Sequence, residues 1–180
     1  MDRRRLGAAM DEPLKTGVFE GRAAYEEALR SVLLAGCAQG SLAIVGIAES
    51  FVDWPLSNRE VLDGLTAWVK RGRMMRLMGR EGRGFEDLRL RQPRFVQWRT
   101  TYGHCFEAHE YEPQGGESRT PLAGLCFVGG AAPLSLRLLD DQHWRGVVSQ
   151  DARDSVLLHE WFDVLTQRAT PAFPASTLGL

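Results

Sequence analysis

The chain has 180 residues, with 22 basic and 23 acidic side chains, and 44% of its residues are hydrophobic. This balance is typical of one globular domain with a single core, and it excludes collagen-like, coiled-coil and largely disordered proteins. No run of about 18 apolar residues occurs. The start Met-Asp-Arg-Arg-Arg also lacks the apolar core of a signal peptide, so we expect a cytoplasmic protein without a membrane span.

The N-terminal half is predicted to alternate helices and strands. Residues 1–20 carry no periodic pattern and are predicted to be a poorly ordered lead-in, with a basic cluster at Arg3, Arg4 and Arg5. Apolar residues then recur at helical spacing over 22–38, and the apolar run 41–48 is typical of a strand buried on both faces.

A second helix and a second strand follow. Ser57 and Glu60 fit a capping box, and the buried stripe of the predicted helix ends before Gly72. Residues 73–78 form a short apolar strand pattern. The order helix, strand, helix, strand predicts two parallel strands joined by a right-handed crossover.

Residues 80–91 are predicted to be a loop with one helical turn, and Pro93 to begin a helix that ends at Gly103. The segment 104–112 is predicted to be a strand with two rows of side chains. Its packed row is His104, Phe106, Ala108 and Glu110, and its wetter row is Cys105, Glu107, His109 and Tyr111.

The C-terminal third is predicted to be antiparallel. A turn over 113–119 leads to strands 121–128 and 132–139, which flank Gly129-Gly130 in a tight hairpin, and 143–148 is a further strand. Ser149 or Asp151 caps a helix over 152–168 whose sheet-facing residues are Val156, Leu157, Trp161, Phe162 and Leu165. We therefore predict one α/β domain over 21–170, a mixed sheet with helices on both faces, and a mobile tail over 171–180.

Signals for metal, cofactor or nucleophilic chemistry are weak. His104, Glu107 and His109 cluster, but only two of them share a strand face, which is too few for a zinc site. No Walker A, G-x-G-x-x-G or G-x-S-x-G pattern occurs. Cys37, Cys105 and Cys126 are odd in number and widely spaced, which predicts small core residues in a reducing compartment. We expect no metal and no cofactor.

The best binding candidates follow the first buried strand and begin the third helix. Glu49, Asp53 and Trp54 leave the carboxyl end of that strand, where α/β sheets hold ligands. The alternative is that Trp54 fills a core gap while Asp53 only caps. Arg94 and Trp98 present the same choice, since Arg94 can bind an anion at a helix N-terminus or pair with an acid.

Eight arginines lie between residues 71 and 94, and such a tract can bind the phosphates of a nucleic acid. The tract comprises Arg71, Arg73, Arg76, Arg80, Arg83, Arg89, Arg91 and Arg94. The sequence pI of about 6.4 is far below the usual basic footprint of nucleic-acid-binding domains. We expect a solvated face, and nucleic acid is not the favoured partner.

The pieces taken in order resemble one half of the phospholipase D superfamily of phosphodiesterases and nucleases, over about residues 18–170. The resemblance rests on Tyr25-Glu-Glu-Ala-Leu29, the strand LAIVGIA, the segment from Leu65 to Met78, the hairpin strands and the last helix around His159-Glu-Trp161. Trp54-Pro55-Leu56 and Pro93-Arg94-Phe95-x-x-Trp98 resemble an uncharacterised group of bacterial single-domain relatives.

The resemblance implies a phosphohistidine mechanism built on an H-x-K-x4-D motif, and this chain departs from it. After His104, Phe106 stands in place of the lysine and Tyr111 in place of the aspartate. The hairpin strand where the motif is expected reads Thr120-Pro-Leu122 and also lacks a histidine. The catalytic residues of the family are therefore missing.

Three hypotheses follow. The first is a non-catalytic phospholipase D-like domain that binds a partner protein or a small anionic ligand, and that pairs as a homodimer because a single half lacks its mate. Glu49, Asp53, Trp54, Arg94, Trp98 and His104 are its candidate ligand-binding residues. The second is a phosphodiesterase with a rearranged site that uses His104, Glu107, Glu49 or Asp53. The third is a nucleic-acid-binding domain.

Overall fold

The computed structural model describes residues 13–70, 72–113 and 122–174. The helices are α1 (Arg22–Ala38), α2 (Arg59–Trp68), α3 (Leu88–Arg91), α4 (Pro93–Thr101) and α5 (Ala152–Thr166). The strands are β1 (Gly17–Phe19), β2 (Ala43–Ala48), β3 (Met74–Arg80), β4 (Phe106–Tyr111), β5 (Ala123–Val128), β6 (Ser135–Asp140), β7 (Arg145–Ser149) and β8 (Thr170–Pro171). No helix in these ranges is long and apolar enough to cross a bilayer.

In the described part of the chain the strands form one eight-stranded sheet in the order β1-β7-β6-β5-β2-β3-β4-β8. Strands β2, β3 and β4 are mutually parallel, and every other neighbouring pair is antiparallel. The mixed α/β sheet predicted from the sequence is confirmed, and so is the parallel pairing of the first two buried strands.

Helices cover both faces because side chains of successive strand residues point to opposite sides. Ile44 and Ala48 of β2 belong to a large core under α1, α2 and α4. Val45 and Ile47 of the same strand belong to a smaller core under α5. A strand buried on both faces needs a continuous apolar run, which is what 43–48 provides.

The cap of α2 differs from the prediction. Asn58, not Ser57, has the extended backbone of an N-cap residue, and its side-chain oxygen accepts the N–H groups of Glu60 at 2.9 Å and Val61 at 3.3 Å. The Ser57 hydroxyl instead accepts the N–H of Phe95, at 3.2 Å, and so fixes the start of α4 against the loop before α2.

Strand β4 begins later than predicted. His104 lies in a 3-10 turn, Gly103–Cys105, because the Cys105 N–H bonds the Tyr102 carbonyl and continues the turn that ends α4. Phe106 and Ala108 are buried, as the packed row requires. Tyr111 of the predicted wetter row is also buried, because α5 covers that face.

The helix α5 is capped by Asp151, as predicted, but its buried face is rotated. Leu158, Phe162 and Leu165 face the sheet, whereas Val156 and Leu157 are 54% and 39% exposed. The rotation brings Leu158 over Gly124, where a Cβ atom would lie 2.4 Å from the leucine side chain. The prediction that Val156 and Leu157 face the sheet is wrong.

The hairpin and the two ends also depart from the predictions. Residues 129–134 connect β5 to β6, so the antiparallel hairpin exists but is not tight. Within the predicted lead-in, β1 pairs with β7, and within the predicted tail Pro171 pairs with β4 and Phe173 is buried. Arg3–Arg5, Arg71, residues 114–121 and residues 175–180 lie outside the described residues.

The packing of α1 on the sheet generates a stability prediction. A Cβ atom at Gly36 would lie 1.9 Å from the buried ring of Phe127, so Gly36→Ala requires α1 or this ring to move. We expect a loss of about 1–3 kcal/mol in the free energy of unfolding, measured by urea denaturation. Gly64→Ala in α2 is the control, since its Cβ would meet only the end of the Leu34 side chain at 3.1 Å. Equal stability of the two variants would contradict this account.

Candidate functional site

The loop after β2 is filled rather than open. Trp54 is 1% exposed, and its ring meets Phe51 edge-on with centroids 4.9 Å apart. The alternative interpretation, in which Trp54 fills a core gap, is therefore the correct one. Burial raises the pKa of Tyr25, and the Trp54 indole acts in the opposite direction on that hydroxyl.

The two acids of this loop are engaged in ion pairs. Glu49 accepts from Arg80 of β3 at 2.9 Å, and Asp53 accepts from Arg22 of α1 at 2.7 Å. Asp53 thus joins the loop to α1 instead of capping α2. Both acids are partly exposed, and these pairs tie loop, helix and sheet together at the carboxyl end of β2.

Gln92 holds the same loop from the opposite side, and the sequence did not single it out. Its amide nitrogen donates to the carbonyls of Val52 at 3.0 Å and Trp54 at 2.7 Å, and its amide oxygen accepts the N–H of Ser57 at 2.8 Å. This buried amide supplies hydrogen-bond partners to three backbone groups of the loop. The loop is consequently a braced element of the core.

The other three candidates lie on α4 and on the 3-10 turn that follows it. Trp98 is 6% exposed and donates to the Thr66 hydroxyl at 3.1 Å, so it joins α4 to α2. Arg94 is exposed at the start of α4, and His104 is exposed on the 3-10 turn. Of the six ligand-binding residues predicted from the sequence, Trp54 and Trp98 are buried in the core, Glu49 and Asp53 are held in ion pairs, and Arg94 and His104 are exposed.

A different cavity, of about 350 Å³, lies at the outer edge of β4. Its walls come from α4, from β4, and from β8 with the chain that follows it. The lining residues are Arg99, Glu107, Ala108, His109, Pro171, Ala172 and Pro174. None of the six predicted residues lines it, although Glu107 was a candidate of the phosphodiesterase hypothesis.

Arg99 is the principal charged group of this cavity. It is only 8% exposed, and its guanidinium carbon lies over the Phe106 ring at 4.9 Å and the Phe173 ring at 5.9 Å. Among the described residues its Nε has no hydrogen-bond partner, and no carboxylate lies within ion-pair distance. Burial, and then the charge of Arg89, lower the pKa of Arg99, yet an arginine stays protonated in proteins.

An unpaired buried cation is costly unless something compensates its desolvation. The two aromatic rings supply part of that compensation through cation–π attraction. The rings offer no lone pair to the guanidinium N–H groups, and the buried Nε–H has no acceptor among the described residues. Those donors match the geometry of an oxyanion that accepts two parallel hydrogen bonds.

The backbone of β4 adds a further donor. Ala108 accepts the N–H of Ala172 at 2.9 Å, but its own N–H has no hydrogen-bond partner among the described residues. Because the N–H and C=O of one strand residue point to the same side, this N–H is directed to the β8 side, where the cavity lies. The cavity thus combines a guanidinium with a backbone N–H.

The remaining polar groups of the wall are Glu107 and His109. Glu107 lies 3.3 Å from Arg76 of β3, an ion pair in which both side chains are roughly 40% exposed. The Nδ1 atom of His109 is buried and without a partner in the described part of the chain. Strand alternation directs the Glu107 and His109 side chains to the α5 face of β4, opposite to Phe106 and Ala108, so the charge beside the cavity is that of Arg99.

Other chemistries find less support in residues 13–70, 72–113 and 122–174. No group of three or more histidine, cysteine, aspartate or glutamate side chains is placed to hold a metal ion. All three cysteines are free and buried, and burial raises the pKa of Cys37 and Cys126 to about 12, so neither is a ready nucleophile.

The arginine tract does not form one continuous surface. Arg73 donates to the Trp68 carbonyl, Arg76 and Arg80 pair with acids, and Arg89 donates to the Pro174 carbonyl. The first three of these contacts lie along β3, and that of Arg89 lies at the chain after β8. The described arginines of the tract are therefore dispersed, and several are neutralised locally.

Comparison with protein-family models gives no match, and a search of curated proteins finds no relative. The resemblance to the phospholipase D superfamily therefore stays a hypothesis drawn from the sequence.

The sequence carried only a faint signal for the cavity. Arg99 follows Trp98 in a helix with three other basic residues nearby, and nothing in that pattern separates a buried arginine from exposed ones. Its burial depends on Phe173, which is 74 residues away and falls in the predicted tail.

Proposed function

We propose that this chain is a non-catalytic phospholipase D-like domain that binds a small anionic ligand at the Arg99 cavity. The observation that carries the proposal is Arg99, a residue only 8% exposed whose buried Nε has no partner among the described residues, in the wall of a cavity of about 350 Å³. An anion would neutralise this charge and accept hydrogen bonds from the N–H groups of the guanidinium.

The phospholipase D-like part of the proposal rests on the architecture and on the resemblance of sequence segments. A mixed sheet with helices on both faces is the frame that the resemblance implies. The positions that would carry the catalytic lysine and aspartate after His104 are held by Phe106 and Tyr111, each 4% exposed. Phe106 supplies no ammonium and Tyr111 no carboxylate, so the two charged roles of the family motif are unfilled at these positions, and binding without bond cleavage is the favoured activity.

The binding proposal is tested by titration calorimetry with benzoate and phenyl phosphate, two probes that share a phenyl ring and differ in their anionic group. We expect at least one to bind the wild-type protein and to weaken by at least about tenfold in Arg99→Gln, because a buried charge-assisted bidentate contact is lost. Arg94→Gln, an exposed arginine on the same helix, is the matched control and is expected to bind as the wild type does. Absence of binding by both probes, or equal loss in both variants, would exclude the Arg99 cavity as the site.

The absence of catalysis is tested with bis-p-nitrophenyl phosphate. We expect the wild-type protein and His104→Ala to release nitrophenol at the rate of buffer alone, because His104 is exposed and lacks the lysine of the family motif. Turnover by the wild type that His104→Ala abolishes would establish the alternative, a phosphodiesterase with a rearranged site.

The proposal also includes a homodimer, since a single phospholipase D-like half lacks the mate that active members pack against it. The exposed apolar side chains of α5, Val156 and Val164, are 54% and 53% exposed and are consistent with such packing. We expect light scattering to give twice the chain mass of 20.1 kDa. A mass of one chain at the highest soluble concentration would contradict the dimer.

A further inference from the structure

We propose that residues 170–174, which we call the strap, close more tightly beside the Arg99 cavity when an anion binds there, and that Arg89 is the positioning residue that holds the strap. This inference rests on the proposed function, because the anion is the one proposed to bind Arg99. It adds the element of the fold that responds to that anion, whatever the chemistry of the anionic group.

The strap forms one wall of the cavity and makes few backbone hydrogen bonds. Its residues Pro171, Ala172 and Pro174 line the cavity. Among the described residues, its pairing with β4 consists of the two-residue strand β8 and one further bond, from the Ala172 N–H to the Ala108 carbonyl at 2.9 Å. The two prolines have no N–H to add. A segment with so few backbone bonds opens easily unless side chains hold it.

Arg89 of α3 supplies two of the side-chain contacts that hold the strap. Its Nη2 donates to the Pro174 carbonyl at 2.8 Å, and its guanidinium carbon lies 4.9 Å from the centre of the Phe173 ring. That ring is buried and stacks on Phe85 with centroids 5.4 Å apart. Arg89 therefore fixes two consecutive residues of the strap, although it does not itself line the cavity.

Two features oppose the closed strap. The backbone φ of Phe173 is 47°, a left-handed conformation that a bulky residue keeps only where its surroundings enforce it. The guanidinium carbon of Arg99 lies 5.9 Å from the same ring, so the closed strap brings two cations together. Burial is the first cause that lowers the pKa of Arg99, and the charge of Arg89 is the second, as expected for two cations that repel each other.

An anion at Arg99 removes one of these opposing features. Its negative charge attracts both guanidinium groups, so it offsets the repulsion between Arg89 and Arg99. The anion therefore favours the closed strap over the open one. By linkage, a variant that loosens the strap weakens the binding of the anion. The coupling depends on charge, so a carboxylate and a phosphate are both expected to produce it.

The response of the strap is measured in the wild-type protein by amide hydrogen exchange, with and without saturating benzoate or phenyl phosphate. We expect the Ala172 N–H to exchange at least about threefold more slowly with a bound probe, because the closed strap keeps its bond to Ala108. The internal control is the Gly21 N–H, which bonds to the His143 carbonyl at 3.0 Å next to β1, at the opposite edge of the sheet. Its exchange is expected not to change.

The role of Arg89 is tested by comparing Arg89→Gln with Arg91→Gln. Arg91 is exposed on the same helix, so its replacement removes the same charge without touching the contacts of the strap. We expect Arg89→Gln to weaken the bound probe at least about threefold, and to speed exchange of the Ala172 N–H even without a probe. Arg91→Gln is expected to behave as the wild type does in both measurements.

Two outcomes would overturn the inference and leave the anion site standing. One is a probe that binds the wild-type protein without slowing exchange at Ala172, a result that does not depend on the folding of any variant. The other is an equal effect of Arg89→Gln and Arg91→Gln, which would assign the change to net charge. Failure of both probes to bind the wild-type protein would remove the proposed function and, with it, this inference.

Discussion

Strand β2 is the constraint on which the other elements depend. Each of its six residues is paired with β3 on one side and β5 on the other, and its alternate side chains enter both cores. Glycine permits the close cover that this requires, as α1 places Gly36 against Phe127 and α5 places Leu158 against Gly124. A strand enclosed on all sides has no backbone group free to bind a ligand. A ligand site is therefore expected at the margins of the sheet and not at its centre.

The outer margin of β4 has the opposite character. Its partner β8 contributes only two residues, and Pro171 and Pro174 have no N–H to donate, so pairing stops early. The gap exposes the Ala108 N–H and is closed on one side by Arg99, which the rings of Phe106 and Phe173 hold. Aromatic contact offsets part of the desolvation of the guanidinium, and an anion would offset the rest. This incomplete compensation distinguishes Arg99 from the other described arginines, most of which have acids or carbonyls as partners.

The loop after β2 and the outer margin of β4 differ in what they offer to a ligand. The loop after β2, where open α/β sheets hold ligands, is braced by Gln92 and filled by Trp54, and its acids are paired. The positions after His104 that a phosphohistidine mechanism would need are occupied by buried aromatic side chains. The loop after β2 therefore offers no free charged side chain, while the unpaired Arg99 at the margin of β4 provides a reason to bind an anion.

The sequence by itself determined the α/β class, the parallel pairing of β2 and β3, the start of α4 at Pro93 and the cap of α5 at Asp151, because each depends on local periodicity or a local hydrogen bond. It could not decide between Ser57 and Asn58 as the α2 cap, since the choice depends on a contact of Ser57 with Phe95 in another helix. The rotation of α5 likewise depends on the space that Gly124 leaves on the sheet. The Arg99 cavity belongs to the tertiary structure, since the chain around β8, far along the sequence from α4 and β4, supplies part of its wall. No local pattern reports whether an arginine is buried or whether a partner reaches it.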